Sequence, residues 1–401
     1  MTRRRIAYLL SQYPTYNHTF LLREVRALRD IGVDVEVASL TDPDRGMDAL
    51  PAIEREEAAQ TAYIKRKGLT AGGLSVLGWL FRSPQRLVSV TKSAVTLAGW
   101  NPRRLAAHLA YLGQAALVAD WLRSSGHRSL HCHFSSTVAM LAAHLADVPW
   151  SVTIHGPAEF DDVVAFGLVP KVASAWKVVV ISGFARSQVL RHVPPAHWDR
   201  VVVVPLGIDP ADYSPAPERP AGPRVELLTV GRLASVKAQG LLIDAVRLLH
   251  DEGRRLRLRI VGTGPDQARL ETQIARHALQ GVVELVGPLP AESVTRLYAE
   301  VDIFALPSFA EGVPVVLMEA MAMELPCVSS RLMGIPELIT DGEDGLLVTP
   351  ADVSDVARAL RHLIDDRQLR RRMGLAARER VLRAYNLRVN VERLADQLLP
   401  S

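Results

Sequence analysis

The chain has 401 residues, 48% hydrophobic and 22% charged, which is enough to bury a large core in about two domains and excludes disorder as the main state. Net charge is +4 and unevenly spread: residues 1–205 carry 23 Lys and Arg against 16 Asp and Glu, and the remainder 24 against 27. The longest apolar run, residues 68–81, is shorter than the roughly 18 residues that span a bilayer as a helix, and Cys132 and Cys327 lie far apart, so neither a membrane span nor a disulfide framework is expected.

The N-terminus passes from Arg3, Arg4 and Arg5 straight into the strand-like Ile6 to Leu10, too short for a signal-peptide core, and a cytoplasmic protein is expected. Short β-branched runs then alternate with helical patterns, which predicts parallel sheets with crossover helices and an α/β fold. Strands are predicted over 5–10, 34–39, 129–133, 151–155, 176–182 and 201–205. Leu21, Val25 and Leu28, spaced by four and three, predict a helix over 20–29.

No acid occurs over residues 58–119, where Lys65, Arg66, Lys67, Arg82, Arg86, Lys92, Arg103 and Arg104 stand, so a surface there attracts anions. Leu74, Val76, Leu77, Trp79, Leu80 and Phe81 alternate with cations as in a helix lying among lipid headgroups; core and solvated faces of ordinary helices give the same pattern. Residues 214–223 hold four prolines, which neither continue a helix nor donate to a central ladder, and mark a linker. Beyond it, strands are predicted over 225–230, 256–261, 282–286, 303–306, 326–329 and 345–348, and helices over 353–365, 367–384 and 387–399. Residues 1–213 and 224–385 thus read as two Rossmann-like domains, whose ligands bind at the carboxyl ends of the strands.

Glu311-Gly-Val-Pro-Val-Val-Leu-Met-Glu319 places two carboxylates eight residues apart, with Gly312 and Pro314 opening a helix and Glu319 about two turns beyond its start, on the face of Glu311. A helix N-terminus offers free N–H groups to an anion such as a phosphate, and a nearby carboxylate accepts sugar hydroxyls. Two solvated surface acids are the ordinary alternative, made less attractive by Val313, Val315, Val316, Leu317 and Met318 around them. Upstream, Gly231 follows a strand as a sharp turn, and Arg232 and Lys237 supply cations that can neutralise a diphosphate without a metal. Gly262 and Gly264 form a second turn after a strand, which alone is a structural feature. His131-Cys132-His133 raises a metal site, but a strand scatters these positions over its faces and no partner set completes four ligands, so no metal is expected.

Gly231-Arg232-Leu233 with Lys237, Val261-Gly-Thr-Gly-Pro265, Glu311 with Glu319, Gly334-Ile-Pro-Glu-Leu338 and Asp341-Gly-Glu-Asp-Gly-Leu346 together resemble the retaining glycosyltransferases of family 4. The second half matches nearly throughout. The resemblance implies the GT-B fold, two Rossmann-like domains facing a central cleft, with the closing segment 386–401 returning to the first domain. It implies a UDP- or GDP-sugar donor as substrate, with no cofactor. Arg232 and Lys237 would hold the diphosphate, Glu319 the ribose hydroxyls and Glu311 the sugar, beside Gly231, Gly262, Gly264 and the backbone of Gly312, Val313, Pro314 and Val315. His155, in Thr153-Ile-His-Gly-Pro-Ala-Glu-Phe160, would face the donor sugar and the reacting centre, with His133 and Glu159 on the acceptor side.

The loop over residues 11–20 lacks the Gly-Gly of many members and looks like the subgroup of exopolysaccharide and colanic-acid-type biosynthesis, with Asn17 and His18 replacing the usual polar-acid pair. Asn17, His18 and Thr19 are placed on the acceptor side; ordinary helix capping by Asn17 or Thr19 is the alternative. The expected reaction is retaining transfer of a sugar to a hydroxyl of a glycan or lipid-linked acceptor in cell-surface polysaccharide synthesis, at an anionic inner membrane surface. Asp42-Pro-Asp44 formally fits a metal-binding acid pair but lies too early in the chain for a donor site. A small-molecule natural product as acceptor and a phosphorylase or hydrolase are alternatives. No nucleic-acid partner is expected, since the cations lack interleaved aromatics and no recognition motif occurs.

Overall fold

The computed structural model describes residues 4–215 and 222–399, apart from the side chains of Asn17 and Ala158. Most of the proline-rich linker and the first three residues therefore lie outside the described residues. The chain divides into two compact units, Met1–Val204 with Arg388–Ser401, and Pro205–Leu387.

The first unit is built on a seven-stranded sheet of β1 (Arg5–Gln12), β2 (Asp34–Thr41), β3 (Ala62–Tyr63), β4 (Leu130–His133), β5 (Trp150–Ile154), β6 (Lys177–Val180) and β7 (Val201–Val203), in the order β3-β2-β1-β4-β5-β6-β7. All its pairings are parallel. Ile6 to Leu10 are buried without alternation, as a strand covered on both faces must be. All six predicted strands are present. The additional edge strand β3 has two residues, too few to show a period. The helix Thr19–Asp30 buries Leu21, Val25 and Leu28, as their spacing predicts, and Glu24 with them.

The acid-free stretch folds mainly into three helices, Gly68–Arg82, Pro84–Ala98 and Pro102–Ser124. The last starts where Asn101 accepts from the amides of Arg103 and Arg104 at 3.0 and 3.2 Å, with Pro102 in the first turn, which satisfies two otherwise unpaired amides.

The second unit carries a six-stranded parallel sheet of β8 (Val225–Val230), β9 (Leu256–Val261), β10 (Val283–Gly287), β11 (Ile303–Leu306), β12 (Cys327–Ser330) and β13 (Leu346–Val348), ordered β10-β9-β8-β11-β12-β13. This is the Rossmann order, and its direction reverses between β8 and β11. In the first unit the reversal falls between β1 and β4. The helices Val353–Asp365 and Arg367–Ala384 begin where Asp352 and Asp366 accept from the amides of Asp355 and Leu369 at 3.0 and 2.9 Å, capping that fixes both starts.

Two boundaries differ from those expected. Pro205 to Tyr213, grouped by sequence with the first domain, belongs to the second unit: Ile208 bridges to Asn386, its amide donates to the Tyr385 carbonyl at 2.9 Å, and Tyr213 reaches Glu319. The helix after Glu311 is Val315–Ala322, so Glu319 lies about one turn in, and Glu311 sits in the preceding loop, not on a shared helical face. Pro314, extended at ψ 123°, delays the helix.

Candidate active site

In the second unit the loops after β8 and β11 meet at the reversal point of the sheet. The Phe309 amide donates to the Val236 carbonyl at 2.8 Å, and Lys237 Nζ donates to Glu311 Oε1 at 2.6 Å. Glu311 is buried, while Arg232 is exposed. The loop after β8 is braced by the loop after β9, where the Leu233 amide donates to the Thr263 carbonyl at 3.0 Å. That contact explains Gly262 and Gly264: a Cβ on Gly262, at φ +139°, would lie 2.0 Å from the Gly231 carbonyl oxygen, and one on Gly264 would lie 2.2 Å from that of Leu233. Gly231 itself has no positive φ, and its Cβ would meet only the Lys237 side chain at 3.9 Å. Of the two glycine turns read from the sequence, the steric demand for glycine therefore falls on the second, at Gly262 and Gly264.

Beyond Glu311, the amides of Gly312, Val313 and Val315 have no hydrogen-bond partner among the described residues, and Pro314 carries no N–H. They and the start of Val315–Ala322 form a partial positive charge beside Lys237, the arrangement that accepts an oxyanion. Glu319 is buried as well: Tyr213 donates to its Oε1 at 2.7 Å and Tyr298 to its Oε2 at 3.1 Å. Burial and the Glu319 charge push the Tyr298 hydroxyl well above its ordinary pKa, so it stays a donor. Neither tyrosine carries a sequence signal, because each reaches Glu319 from a distant element.

In the first unit, His133, His155 and His18 gather at the carboxyl ends of β4, β5 and β1. His133 Nδ1 and His155 Nε2 are 2.7 Å apart, and His133 Nε2 is 3.1 Å from Glu24 Oε1. Phe134 stacks on both His18 and His155, with ring centroids 4.5 and 4.6 Å away. Burial, and then the His133 ring, lower the His155 pKa well below the ordinary imidazole value; burial lowers that of His18 as well. His18 occupies the N-cap position of the helix Thr19–Asp30 without a side-chain cap bond, and Thr19 is the first helical residue, so Thr19 does not cap it. The Asn17 side chain lies outside the described residues. Glu159 accepts from the Gly156 amide at 3.1 Å and is raised in pKa by burial; its contact braces the turn after His155.

The argument that scattered the His131–His133 positions needs correction. Residues 131 and 133 alternate with Cys132, so both face one side of β4, and Glu24 comes to the same side. Donor atoms of Glu24, His131 and His133 lie within 4.8 Å of one another. His131 pairs with Ser151 Oγ at 2.8 Å and Thr153 Oγ1 at 3.0 Å, and His133 Nδ1 with His155, while His133 Nε2 lies 3.1 Å from Glu24 Oε1 without hydrogen-bond alignment. Sequence reasoning missed Glu24, although it shares the 3-4 spaced face of Leu21, Val25 and Leu28.

Asp42 and Asp44 are also engaged. Asp42 pairs with Arg66 at 2.5 Å, and Asp44 pairs with Arg45 and accepts from the Tyr16 amide at 2.8 Å.

Residues 18–212 match the profile of Glycosyltransferase Family 4, and residues 214–380 that of Glycosyl transferases group 1. The chain is a family 4 glycosyltransferase. This glycosyltransferase is 29% identical over 425 residues to the amylovoran biosynthesis glycosyltransferase AmsK of Erwinia amylovora, covering 98% of this chain and 99% of that protein. It is 27% identical over 380 residues to the putative colanic acid biosynthesis glycosyltransferase WcaL of Escherichia coli K12, covering 89% of each. Among solved structures, HepE of Anabaena in complex with UDP and glucose superimposes with a TM-score of 0.74 at 18% identity, over 98% of this chain and 99% of that one. The GT-B architecture expected from the sequence is therefore the fold of this glycosyltransferase.

Proposed function

We propose that this glycosyltransferase moves a hexosyl unit, with retention at the anomeric carbon, from a UDP- or GDP-sugar to a hydroxyl of a glycan or lipid-linked acceptor in cell-surface polysaccharide synthesis. The observation that carries the donor assignment is the meeting of Lys237 and Glu311 with the unpaired amides of Gly312, Val313 and Val315. As the sugar–phosphate bond breaks, negative charge grows on the leaving diphosphate, and Lys237, Arg232 and these amides stabilise it without reorganising. Glu311, held by Lys237, is placed to bind sugar hydroxyls rather than to attack carbon. The acceptor then approaches the face that the diphosphate leaves and gives its proton to the departing phosphate oxygen. The polysaccharide role is supported by the names of AmsK and WcaL.

A thermal-shift screen of NDP-sugars tests the donor: a specific donor raises Tm by mass action, and Glu319→Ala loses the shift. Retention is checked from the anomeric configuration of the product by NMR, and an inverted product refutes it. The two cations take the neutralising part that a divalent ion plays elsewhere, and full activity in excess EDTA is the expected result.

The inner membrane surface is the proposed place of work, and the helix Gly68–Arg82 supports it. At 100° per residue, Gly72, Ser75 and Trp79 fall on the buried side, Gly72 facing Gly113 with Trp79 fully buried. The opposite arc of about 140° carries Leu69, Thr70, Gly73, Leu74, Leu77, Leu80 and Phe81, with one hydroxyl and no charge. Leu69 and Phe81 are 88% and 86% exposed. Lys65, Arg66 and Lys67 precede this apolar outer face, and Arg82 and Arg86 follow it. Apolar area flanked by cations suits insertion among anionic headgroups. Sedimentation with anionic vesicles at low salt tests this surface, and absence of binding removes it.

A further inference from the structure

We infer that the membrane surface of this glycosyltransferase extends from the helix Gly68–Arg82 to Trp100, which seats the carboxyl ends of the first sheet against the bilayer, so that the acceptor hydroxyl is presented by a lipid-linked glycan. The inference deepens the reading of an anionic membrane surface and rests on it. It adds the anchor, the orientation and the choice of acceptor.

Gly99, Trp100 and Asn101 turn the chain between the helices Pro84–Ala98 and Pro102–Ser124, and the indole on this turn is fully exposed. In water such a ring forfeits its apolar burial, whereas at headgroup level its carbons are buried and its N–H stays wet. The end of Pro102–Ser124 lies at the amino ends of the strands, where Arg5, the first residue of β1, donates from Nη1 to the Ser125 carbonyl at 2.8 Å. The connection into a parallel strand runs back along the sheet. This helix has 23 residues, about 34 Å, against about 13 Å for the four residues of β4. Its start, with Trp100, therefore overhangs the carboxyl ends, where His133 and His155 stand. Arg104 ties the tip to that edge: its Nη2 donates to the Leu97 carbonyl at 3.0 Å and to the Ala165 carbonyl at 3.4 Å, in the segment that follows His155.

Trp100 is joined to the apolar helix by its neighbours. A Cβ on Gly72 would lie 3.5 Å from the Gly113 carbonyl oxygen, and farther along Ser75 Oγ donates to Asp120 at 2.6 Å, so Gly68–Arg82 and Pro102–Ser124 run the same way. Leu69 and Leu109, each about one turn before those glycines, stand level with each other, and both are exposed. Leu109 thus carries the apolar face onto the helix that starts beside Trp100. Val164, in the segment that Arg104 joins, is exposed too. The exposed acids of that segment are Asp161 and Asp162, and Asp162 accepts from the Ala165 amide at 2.8 Å. Lys65, Lys67 and Arg103 are exposed and form no ion pair among the described residues, whereas Arg257, Arg259 and Arg361 of the second unit each meet a glutamate. Cations left without acids beside exposed apolar side chains complement an anionic bilayer. With Trp100 among the headgroups, a glycan carried by a lipid arrives at the edge that bears His133 and His155, and a free glycan gains nothing from the surface.

The test uses the full chain and vesicles of equal parts phosphatidylglycerol and phosphatidylcholine at low salt, with binding read by sedimentation and the tryptophans by fluorescence. The expected result is a blue shift on binding and quenching by lipids brominated near the top of the acyl chains, both lost in Trp100→Phe. Trp100→Asp is expected to lower the partition coefficient at least about fivefold, with Tm unchanged. Wild-type binding without quenching of Trp100 overturns the anchor and the orientation while the surface of Gly68–Arg82 stands. Absence of binding overturns both and leaves the patch to a protein partner. The acceptor is tested with hexadecyl glycosides of glucose, galactose, mannose and fucose embedded in the vesicles, against the free methyl glycosides. An embedded glycoside is expected to be the better acceptor, and Trp100→Asp to slow transfer to it at least about fivefold with transfer to a free glycoside within about twofold. Use of the free glycosides alone or of neither form, or equal losses on both, overturns the lipid-linked acceptor. If the wild type turns over no NDP-sugar, the transferase reading fails while the fluorescence still judges the anchor.

Discussion

The two sheets build their sites at equivalent places, where strand order reverses, yet from opposite materials. In the second unit an ion pair, an exposed arginine and unpaired amides stand at the sheet edge. In the first, imidazole and phenyl rings gather beside one buried carboxylate, and Nδ1 of His18, Nε2 of His133 and Nδ1 of His155 are buried without a hydrogen-bond partner among the described residues. The difference teaches what each is fitted to meet. Fixed positive charge and free N–H groups suit an anion such as a diphosphate, whereas buried imidazole nitrogens suit neutral hydroxyls, because a low-dielectric setting rewards hydrogen-bond direction and penalises unpaired charge.

The sharpest way to break this contrast is kinetic. Arg232→Ala and Lys237→Ala are expected to lower kcat by about 10² to 10³-fold each, the range for losing one transition-state donor, measured as NDP release with donor and acceptor present. Losses of less than about tenfold would remove the electrostatic distinction. Next in size is the brace behind the cationic loop. Gly262→Ala forces its Cβ onto the Gly231 carbonyl and is expected to cost about 2 to 3 kcal/mol in urea unfolding; an unchanged midpoint would show that the loops are not held this way.

The first unit's intolerance of buried charge can be measured at Lys171, whose side chain is buried against the Phe166 ring at 3.7 Å and whose pKa burial lowers to about 8. Because the folded value lies below the unfolded one, the unfolded chain binds more protons between about pH 8 and 10.5, so this residue's contribution to stability rises with pH across that window. Lys171→Met should flatten the rise and stabilise the protein at pH 7 by roughly 2 to 3 kcal/mol; a pH slope unchanged in the variant counts against it. The smallest effect belongs to the outer face of Gly68–Arg82. Leu77→Asp is expected to lower the vesicle-bound fraction about tenfold, from the loss of about 1.5 kcal/mol of apolar burial, with Tm unchanged because Leu77 is exposed.

Much of this was legible in the sequence. The twelve longer strands follow from β-branched runs, and the helices Val353–Asp365 and Arg367–Ala384 from their apolar patterns. Arg232, Lys237 and Glu311 were found through motif order, and the structure brings Lys237 and Glu311 together. Three readings went astray for local reasons. Gly231 was read as a sharp turn and Gly262 as a plain structural one, but the backbone crowding that requires glycine falls on Gly262, which only the packing of two loops reveals. The helix after Glu311 was started too early because the extended Pro314 delays it. The histidines of β4 were scattered in argument, although alternation places His131 and His133 on one face.

By itself the sequence determined the two parallel sheets, the reaction family and the loop cations, because periodicity and short-range motifs encode them within a few residues. Only the tertiary structure decided who pairs with whom. Tyr213 and Tyr298 converge on Glu319, Glu24 and His155 flank His133, and an uncharged helical face turns outward beside Lys65, Arg66 and Lys67. Those pairings depend on which elements pack side by side. Burial then selects among chemically similar residues, since a polar atom removed from water must find a partner that the linear chain does not name.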